Sequence, residues 1–153
     1  EKELSIIKPI TTGKTYGKNG WEFYQTNIFR GIEEDINLTP VYLQDYIAKQ
    51  YEVRVTIVGQ NAYAVRIDTK NKIDWRADYQ NHEYTQIDCP DDIIRKCYQL
   101  MEDFGLTFGA FDFIVTPKDE WIFLEVNPNG QWLWLEQRLG LDISKRLVEY
   151  LTN

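Results

Sequence analysis

Two acidic side chains and one amide are the residues of this chain best placed to do chemistry. Asp112 lies in Gly109-Ala-Phe-Asp-Phe-Ile-Val115, and Glu125 and Asn127 lie in Trp121-Ile-Phe-Leu-Glu-Val-Asn-Pro-Asn-Gly130. Both runs are rich in aromatic and β-branched residues. Between them, Thr116-Pro-Lys-Asp-Glu120 has turn composition, which predicts a hairpin. With Pro117 to Glu120 as the loop, Thr116 faces Trp121 and Asp112 faces Glu125. Asn127 then points to the same side as Glu125, because side chains alternate along a strand. Opposed Cβ atoms lie roughly 5 Å apart. Coulomb's law gives about 1 kcal/mol of repulsion between two such carboxylates in water and about 3 kcal/mol at an effective dielectric near about 20. The pair adds no stability unless a cation lies between the oxygens. Hard oxygen ligands with neither His nor Cys favour magnesium, commonly shared with a nucleotide's phosphates. The alternative is a hairpin whose acids are simply solvated.

The elements that must hold these residues can be read along the chain. Leu4 to Lys8 is a short strand ended by Pro9. Ile10 to Gly20 is a polar, glycine-punctuated loop carrying Lys14 and Lys18, and Trp21 to Asn27 is the returning strand. Gly31 to Thr39 reads as a surface connection, and Val41 to Ile47 is apolar enough for an inner strand. A hairpin follows, with Glu52–Val58 and Ala62–Asp68 flanking Gly59-Gln60-Asn61. Val53, Val55 and Ile57 share one face of its first strand, and Glu52, Arg54 and Thr56 share the other. In the second strand Tyr63, Val65 and Ile67 form the apolar face, with Arg66 and Asp68 opposite. Arg54 and Arg66 therefore read as polar-face residues, either solvated in salt bridges or available for anions. Asn71 to Thr85 is irregular and carries Asp74-Trp75-Arg76. A helix is predicted next, capped by Asp88 or Cys89, with Pro90 in its first turn and Asp91 and Asp92 at its positive end. Its core stripe is Ile93, Ile94, Cys97, Leu100, Met101 and Phe104, and Gly105 ends it. Shorter helices are expected over Trp132–Leu139 and Asp142–Leu151, separated by Gly140. Strands around one central helix, with a helical tail, make the class α+β.

Composition narrows the functions further. The 153 residues are 43% hydrophobic and 14% aromatic, enough for one folded core. No apolar run approaches the roughly 20 residues of a membrane helix, and no signal peptide is visible. Cys89 and Cys97 match no metal or redox spacing and read as reduced, partly buried thiols, which favours a cytoplasmic setting. The net charge of −7 argues against a nucleic-acid surface. His82 is the only histidine and lies in a polar loop, so it reads as a surface residue and no Ser–His–Asp or Cys–His arrangement is available. The chain lacks an initiator Met and opens on a strand, which reads as a piece cut from a longer protein.

Taken together, Ile7-Lys8-Pro9, Leu43-Gln-Asp-Tyr-Ile47, Glu52-Val-Arg-Val-Thr-Ile-Val-Gly59, Asp74-Trp75-Arg76, Phe111-Asp112 and Leu124-Glu-Val-Asn-Pro-Asn-Gly-Gln-Trp-Leu-Trp134 resemble the ATP-grasp carboxylate–amine ligases. The likeness is strongest to the ribosomal-peptide maturases of the microviridin and grasp-with-spasm type, with ribosomal-protein glutamate ligases more distant. The resemblance implies an ATP-grasp fold, mostly antiparallel sheet packed on helices, with its N-terminal domain absent. Residues 1–40 would be a remnant of the small mobile subdomain, and 41–153 the C-terminal subdomain with adenine linker and metal site. It also implies ATP and Mg2+ as cofactors, a ribosomal precursor peptide as partner, and no nucleic acid or membrane, and it leaves room for a homodimer. By the same resemblance Lys8 contacts a nucleotide phosphate, the backbone of Gln44, Asp45, Tyr46 and Ile47 pairs with adenine, and Glu52 contacts the ribose. Arg54 and Arg76 hold the transferring phosphate or the substrate carboxylate. Asp112, Glu125 and Asn127 are the magnesium ligands, in agreement with the hairpin register. Trp132 and Trp134 mark the peptide-maturase branch or serve packing alone. The 153 residues are expected to fold and, by themselves, to be inactive.

Overall fold

A computed structural model describes residues 4–10, 14–17, 20–23, 26–31, 40–70, 73 and 82–152. The chain divides into two compact units, Glu1–Ala48 with Lys70–Asn81, and Lys49–Thr69 with His82–Asn153.

In the first unit, β1 (Ser5–Pro9) lies between β4 (Asn27–Phe29) and β5 (Val41–Asp45), all antiparallel, while β2 (Lys14–Gly17) and β3 (Gly20–Phe23) form a separate hairpin. The basic glycine loop thus contains strand β2, and the expected returning strand is split. Its start pairs with β2, and the separate β4 pairs with β1. Val41–Ile47 was expected to be inner. Among the described residues its strand portion, β5, is instead an edge strand, and Tyr42 and Leu43 are exposed on it. Of the Gly31–Thr39 connection, 32–39 lie outside the described residues.

The second unit is a five-stranded antiparallel sheet in the order β10-β9-β6-β7-β8. Its strands are β6 (Tyr51–Val58), β7 (Asn61–Asp68), β8 (Glu83–Ile87), β9 (Phe108–Val115) and β10 (Trp121–Asn127). Strand β8 occupies the end of the stretch expected to be irregular. The helix α1 (Asp91–Asp103) covers one face, where Val53, Val55, Phe111, Phe113 and Val115 pack on Ile93, Cys97 and Met101. The helices α2 (Leu133–Leu139) and α3 (Ile143–Thr152) cover part of the other, with Leu135, Leu141 and Ile143 against Val58, Tyr63 and Val65. Pro90 is the N-cap of α1, and no side chain caps it; the Pro90 carbonyl accepts the Ile93 and Ile94 N–H groups instead. Gly105, at φ 62, closes the helix through the Schellman pair Gly105 N–H to Glu102 O and Leu106 N–H to Met101 O. That closing turn leaves Phe104 exposed, outside the stripe in which it was expected.

The β6–β7 turn overturns one expectation. Val58 pairs with Asn61, so the loop is two residues, Gly59-Gln60, and Val55 faces Ala64 while Arg54 faces Val65. The apolar stripes of the two strands therefore lie on opposite faces of the sheet. Arg66 goes to the α1 face, where it forks onto Asp68 at 2.6 and 2.7 Å and stacks on Tyr51. Glu52, Arg54 and Thr56, the expected polar face of β6, are nevertheless buried.

Burial pushes three neutral groups up: the Cys89 thiol to about 11, the Cys97 thiol to about 12, and the Tyr63 phenol, also bonded to Asp142, to about 12. In an unfolded chain these ionise near about 8.5 for thiols and about 10 for tyrosine. Between those values and the folded ones the unfolded state binds fewer protons, so stability falls as pH rises. The urea midpoint is expected to hold to about pH 8 and to decline from about pH 9 upward. A midpoint that stays flat or rises over that range contradicts this reading.

Candidate active site

The face of the second unit that carries α2 and α3 also carries a row of charges. Arg54 on β6 faces Asp112 on β9, and Asp112 faces Glu125 on β10. Asn127, two residues on, faces Ala110 on the same side. The opposition of Asp112 and Glu125 is as expected, but the route to it differs. At the turn Val115, not Thr116, faces Trp121, and Thr116–Glu120 forms the loop. That register alone would set Leu124 opposite Asp112. A β-bulge between Phe123 and Glu125 takes Leu124 out of the count and restores the pairing. Before the bulge, Trp121 and Phe123 meet the Phe113 ring edge-to-face on the α1 face. After it, Glu125 and Asn127 point to the other.

Arg54 is 7% exposed and Asp112 also 7%. The Arg54 guanidinium donates from Nε to Asp112 Oδ1 at 2.5 Å and from its second terminal nitrogen to Oδ2 at 3.0 Å, a bidentate fork. Its remaining nitrogen reaches the Gln131 carbonyl at 3.4 Å. Asp112 is thus charge-paired from β6, on the side of β9 away from Glu125. Along β6 from Arg54, Glu52 takes a buried ion pair from Lys49. Lys49 was not singled out in the sequence; a lysine three residues ahead of Glu52 was its one available signal. The Asn127–Trp132 loop lies tightly on β9, since a Cβ at Gly130 would come within 2.4 Å of the Ala110 Cβ. In that loop the Asn127 side-chain oxygen accepts the Asn129 N–H at 2.9 Å, which orients the amide and leaves one lone pair.

These donors suit a hard cation. Asp112, Glu125 and Asn127 supply carboxylate and amide oxygens on one face, the chemistry that magnesium takes. Among the described residues no group of three His, Cys, Asp or Glu is arranged to hold a metal. The two acids would therefore need the amide, and oxygens from a ligand, to fill a shell.

The other expected site residues are distributed as follows. In the first unit, Lys8 on β1 faces Tyr42, and Ile6 faces Gln44, so Lys8 and Gln44 share one face of that sheet and Asp45 points to the other. The Tyr46 N–H is bonded to the Leu4 carbonyl at 2.7 Å, and Ile47 is exposed. Arg76, with Asp74 and Trp75, lies outside the described residues. His82 is half-buried against Tyr84 rather than on the surface. Trp132 packs edge-to-face on Phe108 and donates to Ser144 Oγ at 3.1 Å, and Trp134 packs edge-to-face on Tyr84, so both tryptophans pack α2 onto the sheet. No helix among the described residues is long and apolar enough to cross a membrane.

The RimK-like ATP-grasp domain matches residues 14–151, and the chain belongs to that family. Among solved structures it is similar to a RiPP-associated ATP-grasp ligase of Chryseobacterium gregarium, in complex with ADP and a leader and core peptide, at 29% identity and TM-score 0.85. It is also similar to macrocyclase MdnC of Microcystis aeruginosa MRC, bound with precursor peptide MdnA, at 31% identity and TM-score 0.82. Macrocyclase MdnB of the same organism is 34% identical at TM-score 0.60 over 72% of this chain and 40% of its own. The first two matches cover 95% and 97% of this chain but 47% and 49% of the matched chains, so the chain spans about half their length. The architecture is accordingly an ATP-grasp fold, partial relative to these structures. A comparison with curated proteins found no match.

Proposed function

We propose that the chain is part of an ATP-dependent ligase that matures a ribosomally made precursor peptide. A side-chain carboxylate oxygen of that peptide attacks the γ-phosphorus of ATP, releasing ADP and leaving an acyl phosphate. A hydroxyl or amine of the same peptide then attacks the acyl carbon and expels phosphate, giving an ester or amide crosslink. Asp112, Glu125 and Asn127 would hold Mg2+, which supplies charge neutralisation for the phosphoryl oxygens. Arg54, with Arg76, would orient the transferring phosphate or the carboxylate. Lys8 would contact phosphate, the Gln44–Ile47 backbone the adenine, and Glu52, steadied by Lys49, the ribose. Residues 1–40 would then belong to the small mobile subdomain and 41–153 to the C-terminal one. Such a site works by positioning and electrostatics, with no covalent step on the protein. The observation that carries this reading is the opposition of two carboxylates on the face that also presents Arg54 and Asn127. The half-length match to the solved ligases favours a second reading, a nucleotide- or peptide-binding piece that is inactive by itself.

Mass spectrometry of the full-length protein with its co-encoded peptide and Mg·ATP tests the proposal. Crosslinking removes one water mass per bond and consumes one ATP. A gain in mass would mark residue addition of the glutamate-ligase type, and an unchanged peptide mass would overturn the ligase reading.

A further inference from the structure

We infer that Gly130 is a positioning residue for the proposed metal site, setting where the Asn127 amide stands; this rests on the functional reading above. Asn127-Pro-Asn-Gly130 is a β-turn closed by the Gly130 N–H on the Asn127 carbonyl at 3.2 Å. Inside it, the Asn129 N–H donates to the Asn127 side-chain oxygen at 2.9 Å. Pro128, Asn129 and Gln131 are exposed, whereas Gly130 between them is buried. It sits on Ala110, and a Cβ there would come within 2.4 Å of the Ala110 Cβ. Apolar carbons pack best at roughly 3.5–4.0 Å, so a methyl at position 130 must displace something by about 1 Å. Backbone conformation does not call for glycine here, since φ lies outside the positive range that L side chains avoid. The requirement is one of space.

What gives way is the turn. Ala110 belongs to β9, which is paired with β6 on one side and β10 on the other. The Arg54 contact to the Gln131 carbonyl, at 3.4 Å, is too long to hold the turn in place. The Asn127 backbone is fixed in β10, but its amide is steered by the Asn129 N–H and moves with it. Magnesium tolerates such a displacement poorly, because it demands near-octahedral ligands at roughly 2.0–2.1 Å. Calcium accepts irregular shells at roughly 2.3–2.6 Å. One methyl added at position 130 therefore weakens magnesium more than calcium, whereas a general loss of fold weakens both alike. Removing the Ala110 methyl restores the space from the strand's side. The next atoms that a Cβ at position 130 meets, the Asn127 carbonyl oxygen at 3.4 Å and Cβ at 3.6 Å, leave it room.

Calorimetry of ADP binding to the full-length protein, once with Mg2+ and once with Ca2+, tests this. For Gly130→Ala, affinity in Mg2+ is expected to fall roughly tenfold or more, as for disturbed outer-shell partners of a metal. In Ca2+ the same variant is expected to lose no more than about threefold. Adding Ala110→Gly to Gly130→Ala is expected to bring the Mg2+ value back to within about threefold of the unmodified protein. An equal loss in both metals, an unchanged Mg2+ affinity, or no recovery in the double variant overturns the positioning role. A measurement on the unmodified protein keeps the test open should Gly130→Ala fail to fold. Free of metal and nucleotide, the Asn129 and Gly130 amide protons are expected to exchange at least about tenfold more slowly than in an unstructured chain. Unprotected amides overturn the proposal, since the turn would then not be set before the ligands arrive. Loss of Mg·ADP binding in Glu125→Gln alongside indifference to Gly130→Ala would sink the positioning role and leave the metal site standing. ADP binding by the unmodified protein that needs no divalent ion would sink both.

Discussion

Asp112→Asn is expected to destabilise the second unit by about 3–5 kcal/mol, the cost of leaving one partner of a buried ion pair uncompensated. The residue lost is bonded twice to Arg54, and both side chains are almost fully enclosed. A competing effect acts in the other direction, because the substitution relieves repulsion from Glu125. Glu125 is exposed, however, so that relief is near the aqueous limit of about 1 kcal/mol. The ion pair wins. Arg54→Met is expected to cost a similar amount, whereas the double change Arg54→Met with Asp112→Leu should cost much less than the sum of the two. An apolar pair leaves no stranded charge and is often neutral or stabilising. Urea denaturation followed by circular dichroism reads all three. A loss below about 1 kcal/mol for either single change would show that the pair is exposed to water in solution.

Glu125→Gln should separate binding from folding. The side chain is exposed on the last strand of the sheet, where a substitution of similar shape is expected to move stability by no more than about 0.5 kcal/mol. If the acid pair holds magnesium, the affinity for Mg·ATP should nevertheless fall by at least the roughly 10–100-fold that even outer-shell partners of metals are worth. Calorimetry with Mg·ATP checks this against the unmodified chain. Equal affinities in the two proteins would remove Glu125 from the site. The contrast with Asp112→Asn is diagnostic, since that change is expected to weaken both folding and binding.

The sequence carried the site further than it carried the fold around it. Asp112 and Glu125 could be set opposite each other because aromatic and β-branched runs flank a turn, yet the turn assumed was one residue too short. The compensating bulge at Leu124 has no glycine to announce it, so the pairing was correct while its premise was not. The β6–β7 hairpin shows the reverse failure. Gly59 signalled the turn, but its loop of two residues rather than three moved the apolar stripe of β7 to the opposite face. Arg54 and Glu52 were read as a polar face because alternation reports polarity and not coverage. Their partners are Asp112 and the Gln131 carbonyl for Arg54 and Lys49 for Glu52, and the first two are remote in sequence. Val41–Ile47 failed for a similar reason: apolar composition does not reveal whether a strand has one neighbour or two. The Arg54–Asp112 fork joins residues 58 positions apart and was not legible in any local pattern.

The extra residue at Leu124 acts like a phase shift in a code. Upstream of it, odd-numbered positions of β10 feed the aromatic interior; downstream, odd-numbered positions feed the charged surface. A single insertion or deletion between Trp121 and Leu124 would therefore swap carboxylate for hydrocarbon on one of the two sides, whereas a change of length in the Thr116–Glu120 loop could be absorbed there. Lineages of this domain should accept gaps in that loop and resist them in the few residues after it.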